Sequence, residues 1–169
     1  LSLHDALPIF MAPGDVTTLK AQPVVVAQQL RDAGFKVDLQ ATDWQTVVTR
    51  RASQKAPKDG GWNMFFTNWV SADVSNPIAN LSIGGQGKNG GWFGWADDPK
   101  IEQLKDAFVR APSLDFKKKT AYDIQKEAYE QVIYLPLGQF RLPSAWRKSL
   151  TGVLEGPAPP VFWNVDKTE

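Results

Sequence analysis

Residues 22–48 read QPVVVAQQLRDAGFKVDLQATDWQTVV, and this stretch decides the fold class. Pro23 suits a first helical turn, Val24, Val25, Ala27, Leu30 and Ala33 offer an apolar face, and Gly34 stops the helix. Phe35, Val37 and Leu39 then alternate with Lys36, Asp38 and Gln40, the two-residue period of a strand with one buried face. Asp43 can cap a second helix carrying Trp44, Val47, Val48 and Arg51, which ends before Pro57 and the Asp59-Gly60-Gly61 turn. The apolar run WNMFFTNW, residues 62–69, reads as a more deeply buried strand. Helix, strand, helix, strand with short links predicts βαβ units. The fold class is therefore α/β, a parallel or mixed sheet with flanking helices, whose first strand lies at or before Phe10.

Downstream, residues 71–95 are rich in Gly, Asn and Ser and read as a long irregular loop, a length that usually carries function or disorder. Asp98 caps and Pro99 opens a helix with Ile101, Leu104 and Phe108 on one face. Asp115 is the expected cap of the next, whose face holds Phe116, Thr120, Ile124, Ala128 and Val132. Residues 133–140 predict a buried strand and residues 143–147 an irregular continuation. A stiff Pro-rich connection follows at 156–160, before a closing apolar run at 161–165. No internal repeat is present.

At 169 residues, 43% hydrophobic and 22% charged, the composition is that of an ordinary globular protein. No run approaches the eighteen or so apolar residues of a membrane helix. Nineteen basic against eighteen acidic residues give a net charge of +1 with interspersed signs, which does not suggest a nucleic-acid binder. The absence of cysteine removes disulfides, thiolate nucleophiles and cysteine metal sites. Residues 1–9, LSLHDALPI, match the in-frame translation of a common sequencing-library adapter, CTT TCC CTA CAC GAC GCT CTT CCG ATC. They are set aside as foreign. The natural gene is then expected to be cut at its 5′ end, and His4, the sole histidine, does not belong to the natural protein.

Without histidine or cysteine, few chemistries remain. Glu102, Asp106, Glu127 and Glu130 read as solvated helix faces and Asp98 as an N-cap, so no metal site is expected. Ser71 and Ser144 have no histidine to activate them, and no GxSxG occurs. The glycines of GGQGKNGG form neither a Walker loop nor a dinucleotide fingerprint. A carboxylate-dependent hydrolase remains as a rival of a different class. The seven tryptophans are more informative. Trp44 and Trp163 read as core packing. Trp69, Trp92 and Trp95, at a strand end and in the long loop, are placed where flat apolar walls can line a cleft. Asp73, four residues beyond Trp69, is the acid nearest that strand end, with an ordinary turn or cap as its bland reading.

These pieces occur in a suggestive order: VAQQLRDAGFKVDL; NWVSADVSNP; DPKIEQLKDAF; YDIQKEAYEQV; IYLPLGQF; and LTGVLEG through to FWNVDK. From about Val24 to its end the chain resembles the C-terminal part of the peptide and nickel class of extracellular solute-binding proteins that serve ABC importers. The resemblance implies one partial lobe of a two-lobe periplasmic-binding-protein fold. Residues 10–148 would belong to the second ligand-binding lobe. Residues 149–169 would return to a first lobe absent here, leaving Val153, Leu154, Val161, Phe162 and Trp163 short of partners.

The resemblance also implies no enzymatic activity and no cofactor. It implies capture of a small solute, a peptide or alternatively an oligosaccharide, and delivery to an ABC permease in the inner membrane. The location would be periplasmic or extracellular, and the full-length protein a monomer. In peptide-binding members the strand ending in Trp pairs with the ligand backbone and the following Asp holds its positive amino end. By position these are Thr67, Asn68, Trp69 and Val70, with Asp73 as anchor and Trp92 and Trp95 as further ligand-binding candidates. The Trp69 to Asp73 spacing is one residue longer than in typical peptide binders.

Overall fold

The computed structural model describes residues 7–154 and 161–168. It divides into two compact units, Leu1–Asn68 and Trp69–Glu169.

In the first unit, β1 (Ile9–Pro13), β2 (Asp38–Thr42) and β3 (Met64–Phe65) form a parallel sheet in the order β2-β1-β3. Ile9 pairs with Asp38 and Pro13 with Thr42, while Phe10 and Met11 face Met64 and Phe65 across the other edge. Helix α1 (Gln22–Asp32) and helix α2 (Trp44–Arg50) are the connecting elements that the helix-strand pattern predicts. The central strand is the most buried, as its position between two neighbours requires. Phe10 joins Ala27, Val37 and Phe66 in a core flanked by Val26, Leu30, Leu39 and Met64. Met11, of opposite parity, is fully buried, as is Val47 of α2, which packs on β1.

Several boundaries differ from the sequence reading, each for a local reason. The buried side of α1 is Pro23, Ala27 and Leu30, at i, i+4 and i+7, whereas Val24 and Val25 face outward because the sheet covers a single stripe. Gly34 closes α1 in the left-handed conformation. Its N–H donates to Arg31 O and that of Phe35 to Leu30 O, a Schellman pair that keeps residue 35 out of the strand, so β2 begins at Asp38. The predicted strand over 62–69 contracts to Met64–Phe65. The Trp62 ring nitrogen turns away to Arg51 O at 3.2 Å, and among the described residues no partner strand accompanies the chain beyond Phe65.

Arg50 ties this unit together, with Nη1 donating to Gln40 Oε1 at 2.5 Å, Nη2 to Gly61 O at 2.6 Å and Nε to Gly60 O at 3.1 Å. The segment read as foreign reaches into the sheet at its end. Pro8 O accepts from Asp38 N, and Ile9 exchanges two bonds with Asn63, its N–H donating to Asn63 Oδ1 at 2.9 Å and its carbonyl accepting from Asn63 N at 3.1 Å.

The second unit holds α3 (Ser71–Val74), α4 (Pro99–Val109), α5 (Leu114–Glu130) and a small antiparallel pair, β4 (Leu150–Thr151) with β5 (Asp166–Lys167). Ile101 and Ile124, both fully buried, meet Ile83 and Ala128 in a core edged by Leu104, Phe108, Ile133 and Tyr134. Burying an isoleucine of this kind is worth about 1.5–3 kcal/mol. Asp98 caps α4 as expected, its Oδ1 accepting from Lys100 N and Ile101 N. The cap of α5 is Ser113, not Asp115. The Ser113 hydroxyl accepts from Phe116 N at 3.2 Å, and Asp115 lies in the first turn, where its charge suits the helix N-terminus. Helix α5 ends at Glu130, so Val132, at φ 52°, lies beyond its expected face.

The buried strand expected over residues 133–140 is absent. Beyond Ile133 and Tyr134 this stretch is exposed, without a pairing partner among the described residues. Trp163, expected in the core, is 92% exposed, beside the two-residue ladder β4-β5. The Pro-rich connection at 156–160 lies outside the described residues.

Candidate functional site

Within the second unit, residues 85–98 form a closed, ordered loop. Asp98 N donates to Gly85 O and Gly87 N to Ala96 O, with an antiparallel bridge between Gln86 and Asp97 at the neck. Gly85 N in turn donates to Glu102 Oε1 at 2.7 Å, so α4 anchors the neck from below. Two glycines are demanded by close approach. A Cβ on Gly85 would lie 2.2 Å from Asp98 O, and one on Gly91 would lie 2.5 Å from Gly87 O. The loop is therefore an Ω-like platform, sealed by backbone bonds and held by a helix N-terminus.

That platform carries the aromatics. A turn runs from Trp92 to Trp95, closed by Trp95 N to Trp92 O at 2.8 Å, with Gly94 at φ 105° supplying its left-handed step. Trp95 itself has φ 50°, uncommon for a large side chain and a conformation the turn imposes. The rings of Trp69 and Trp92 are 5.3 Å apart at 51°, and Trp92 and Phe93 are also 5.3 Å apart, at 48°. Trp69 remains 38% exposed. The sequence-predicted set is thus drawn together in part. Trp69 and Trp92 touch, and Trp95 closes the same turn.

Asp73 sits in α3, a single helical turn rather than the irregular loop expected. It is exposed, its N–H donates to Val70 O at 2.9 Å, and its carboxylate accepts no hydrogen bond from a described residue. Val70 is the N-cap residue of α3 in extended conformation. Thr67 and Asn68 close the first unit, where Asn68 Nδ2 donates to Thr18 Oγ1 at 2.9 Å. None of residues 67–70 lies in a strand. Ser71 Oγ receives a bond from Gln139 Nε2 at 3.2 Å, an attachment with no signature in the sequence.

A separate depression of about 590 Å³ at the start of α4 is lined by Asp97, Asp98, Lys100, Gln103, Glu127 and Gln131. None of these is a predicted ligand residue. Glu127, read as part of a solvated face, is instead buried and paired with Lys100, and its Oε1 also accepts from Gln131 Nε2. These partners hold the Glu127 carboxyl below its usual range, and Glu127 raises the Lys100 ammonium above its own. The groups neutralise one another across α4 and α5, an arrangement of structure rather than catalysis. No group of three or more metal-capable side chains occurs among the described residues. Nor is any helix among them long and apolar enough to cross a membrane.

No family model matches the chain. It is 34% identical over 143 residues to the probable peptide ABC transporter periplasmic-binding protein y4tO of Sinorhizobium fredii (strain NBRC 101917 / NGR234). The match covers 85% of this chain and 27% of the relative, so the chain spans about a quarter of that protein's length.

Proposed function

We propose that this chain belongs to the peptide and nickel class of extracellular solute-binding proteins and forms part of the binding subunit of an ABC importer. The subunit captures a peptide or similar small solute without transforming it and delivers it to an inner-membrane permease from the periplasm. The observation that carries this reading is the 34% identity, over 85% of the chain, to the probable peptide ABC transporter periplasmic-binding protein.

The loop geometry supports it. Trp69 and Trp92 offer a tilted aromatic surface on a rigid platform, and Asp73 presents an exposed carboxylate four residues along the chain. Aromatic walls with a few polar groups are the usual lining of small-molecule sites. In the proposal Trp69, Val70, Asp73, Trp92 and Trp95 contact the solute, and Thr67 and Asn68 offer backbone groups to it. Residues 10–148 contribute to one lobe and residues 149–169 return to the other.

The test is titration of the full-length protein with di- to pentapeptides and with neutral oligosaccharides, following tryptophan fluorescence and analysing the recovered solute. Saturable change with peptides and their intact recovery supports the proposal. Saturation by sugars alone transfers the site to an oligosaccharide, and cleavage of either ligand overturns the transport reading.

A further inference from the structure

The turn that carries Asp73 has little support of its own. Helix α3 contains no buried residue, and its N-cap, Val70, supplies no side-chain bond to the first turn. Asp73 N donates to Val70 O and Ser75 Oγ to Ala72 O, both within three residues along the chain. Bonds of that range shape the turn without fixing where it points. Among the described residues, one hydrogen bond reaches α3 from a remote segment, that from Gln139 Nε2 to Ser71 Oγ at 3.2 Å, across 68 positions. A serine hydroxyl both donates and accepts, so the bond forms with either orientation of the Gln139 amide.

The backbone that delivers Gln139 is specific. Pro136 fixes one φ shortly before it, and the adjacent Gly138 has φ 143°, a region that L side chains rarely adopt. Nothing packs within 4 Å of where a Cβ on Gly138 would lie, so the demand for glycine comes from the backbone angle and not from crowding. At the receiving end, Ser71 and Asp73 share a single turn, so a displacement of Ser71 is passed to Asp73. Trp69 has separate support, because its ring rests against Trp92. The aromatic surface is thus held by the loop, and the carboxylate by Gln139.

We infer that Gln139 is a positioning residue of the candidate site: by holding Ser71 it sets the direction in which α3 presents the Asp73 carboxylate to the charged end of a solute. The inference rests on the proposed reading of Asp73 as the anchor for that charge. An exposed neutral bond adds little to stability, so its effect is geometric. A carboxylate must meet an ammonium within hydrogen-bond distance, and a turn free to swing spends less time there.

The experiment is calorimetry on the full-length protein with di- to pentaalanine and their N-acetyl forms. Gln139→Ala and Ser71→Ala should each weaken the peptides with a free amino end by about 2- to 12-fold, the range of one net hydrogen bond. The double variant should lose no more than either single one, and Ser71→Thr, which keeps the hydroxyl, should bind as the parent does. Gln139→Ala should cost nothing with the N-acetyl forms or in an Asp73→Asn background. Equal losses for free and acetylated peptides, or a loss that survives Asp73→Asn, would overturn the inference by giving Gln139 a direct contact or a general structural role. Unchanged affinity would overturn it outright. Failure of the parent to bind any of these peptides would instead sink the peptide reading, and this inference with it. A second readout needs no solute: in Gln139→Ala the amides of residues 72–75 should exchange faster than in the parent while those of α4 and α5 keep their protection. No change at residues 72–75 would overturn the tether whatever the solute.

Discussion

The indole of Trp69 lies against that of Trp92 with ring centroids 5.3 Å apart and planes inclined at 51°. Twenty-three positions separate them, so the contact fixes where the long loop folds back on the residue that opens the second unit. A tilted aromatic pair is worth about 0.5–1.5 kcal/mol beyond its area burial. A double-mutant cycle with Trp69→Ala and Trp92→Ala, read by urea unfolding, should return a coupling of about that size. Additive losses would mean that the two rings are held independently.

The loop neck makes a sharper demand. Gly85→Ala would drive a Cβ to 2.2 Å from Asp98 O, on backbone that caps α4 and cannot yield cheaply. Gly84→Ala meets Leu81 O at 3.4 Å, ordinary contact. Adjacent glycines should therefore behave differently, with Gly85→Ala costing about 1–3 kcal/mol and Gly84→Ala within about 0.5 kcal/mol of the parent. Thermal unfolding of the two variants checks this.

Local chemistry was legible where it acts over a few residues. Gly34 as the stop of α1, Asp43 as the cap of α2 and Asp98-Pro99 as the opening of α4 all follow from short-range rules, and the structure has them. What failed depends on partners remote in sequence. Residues 62–69 and 133–140 are apolar enough for strands, but a strand exists only where a neighbour pairs with it, and periodicity does not report the neighbour. Glu127 was misread for the same reason, since a carboxylate on a helix looks solvated until a lysine on another helix covers it. In the candidate site, the aromatic residues were visible as types. The Trp69–Trp92 contact and the Gly85 neck were not, because both are made by loop closure.

The Lys100–Glu127 pair gives stability a defined pH dependence. Glu127 titrates below its ordinary value of 4.5 in the folded chain, chiefly through its bond from Lys100 and then that from Gln131. Its contribution is present above that ordinary value and lost as pH falls through the depressed folded value. Lys100 is raised above 10.5, chiefly by its bond to Glu127, so its contribution holds at neutral pH and is lost as pH rises through the raised value. Glu127→Gln should therefore flatten the acid limb of a stability–pH curve below about pH 4.5 and lower the neutral plateau. An unchanged acid limb would show that the pair is not formed in solution.

Asp73 decides between an anchor and a turn residue, and the magnitude of its effect separates them. In the structure the Asp73 carboxylate is exposed. An ion pair made there in open water would be worth about 0–1 kcal/mol. If lobe closure excludes water around a ligand ammonium, breaking the pair costs about 2–5 kcal/mol, because one charge is left desolvated without its partner. Asp73→Asn in the full-length protein should thus weaken a peptide with a free amino terminus by that larger amount in calorimetry. It should weaken the N-acetylated peptide by much less, since the acetyl group has already removed the charge that Asp73 would meet. Equal small losses for both peptides would assign Asp73 to the turn at α3 and leave the aromatic surface of Trp69 and Trp92 to hold the solute through its apolar faces alone.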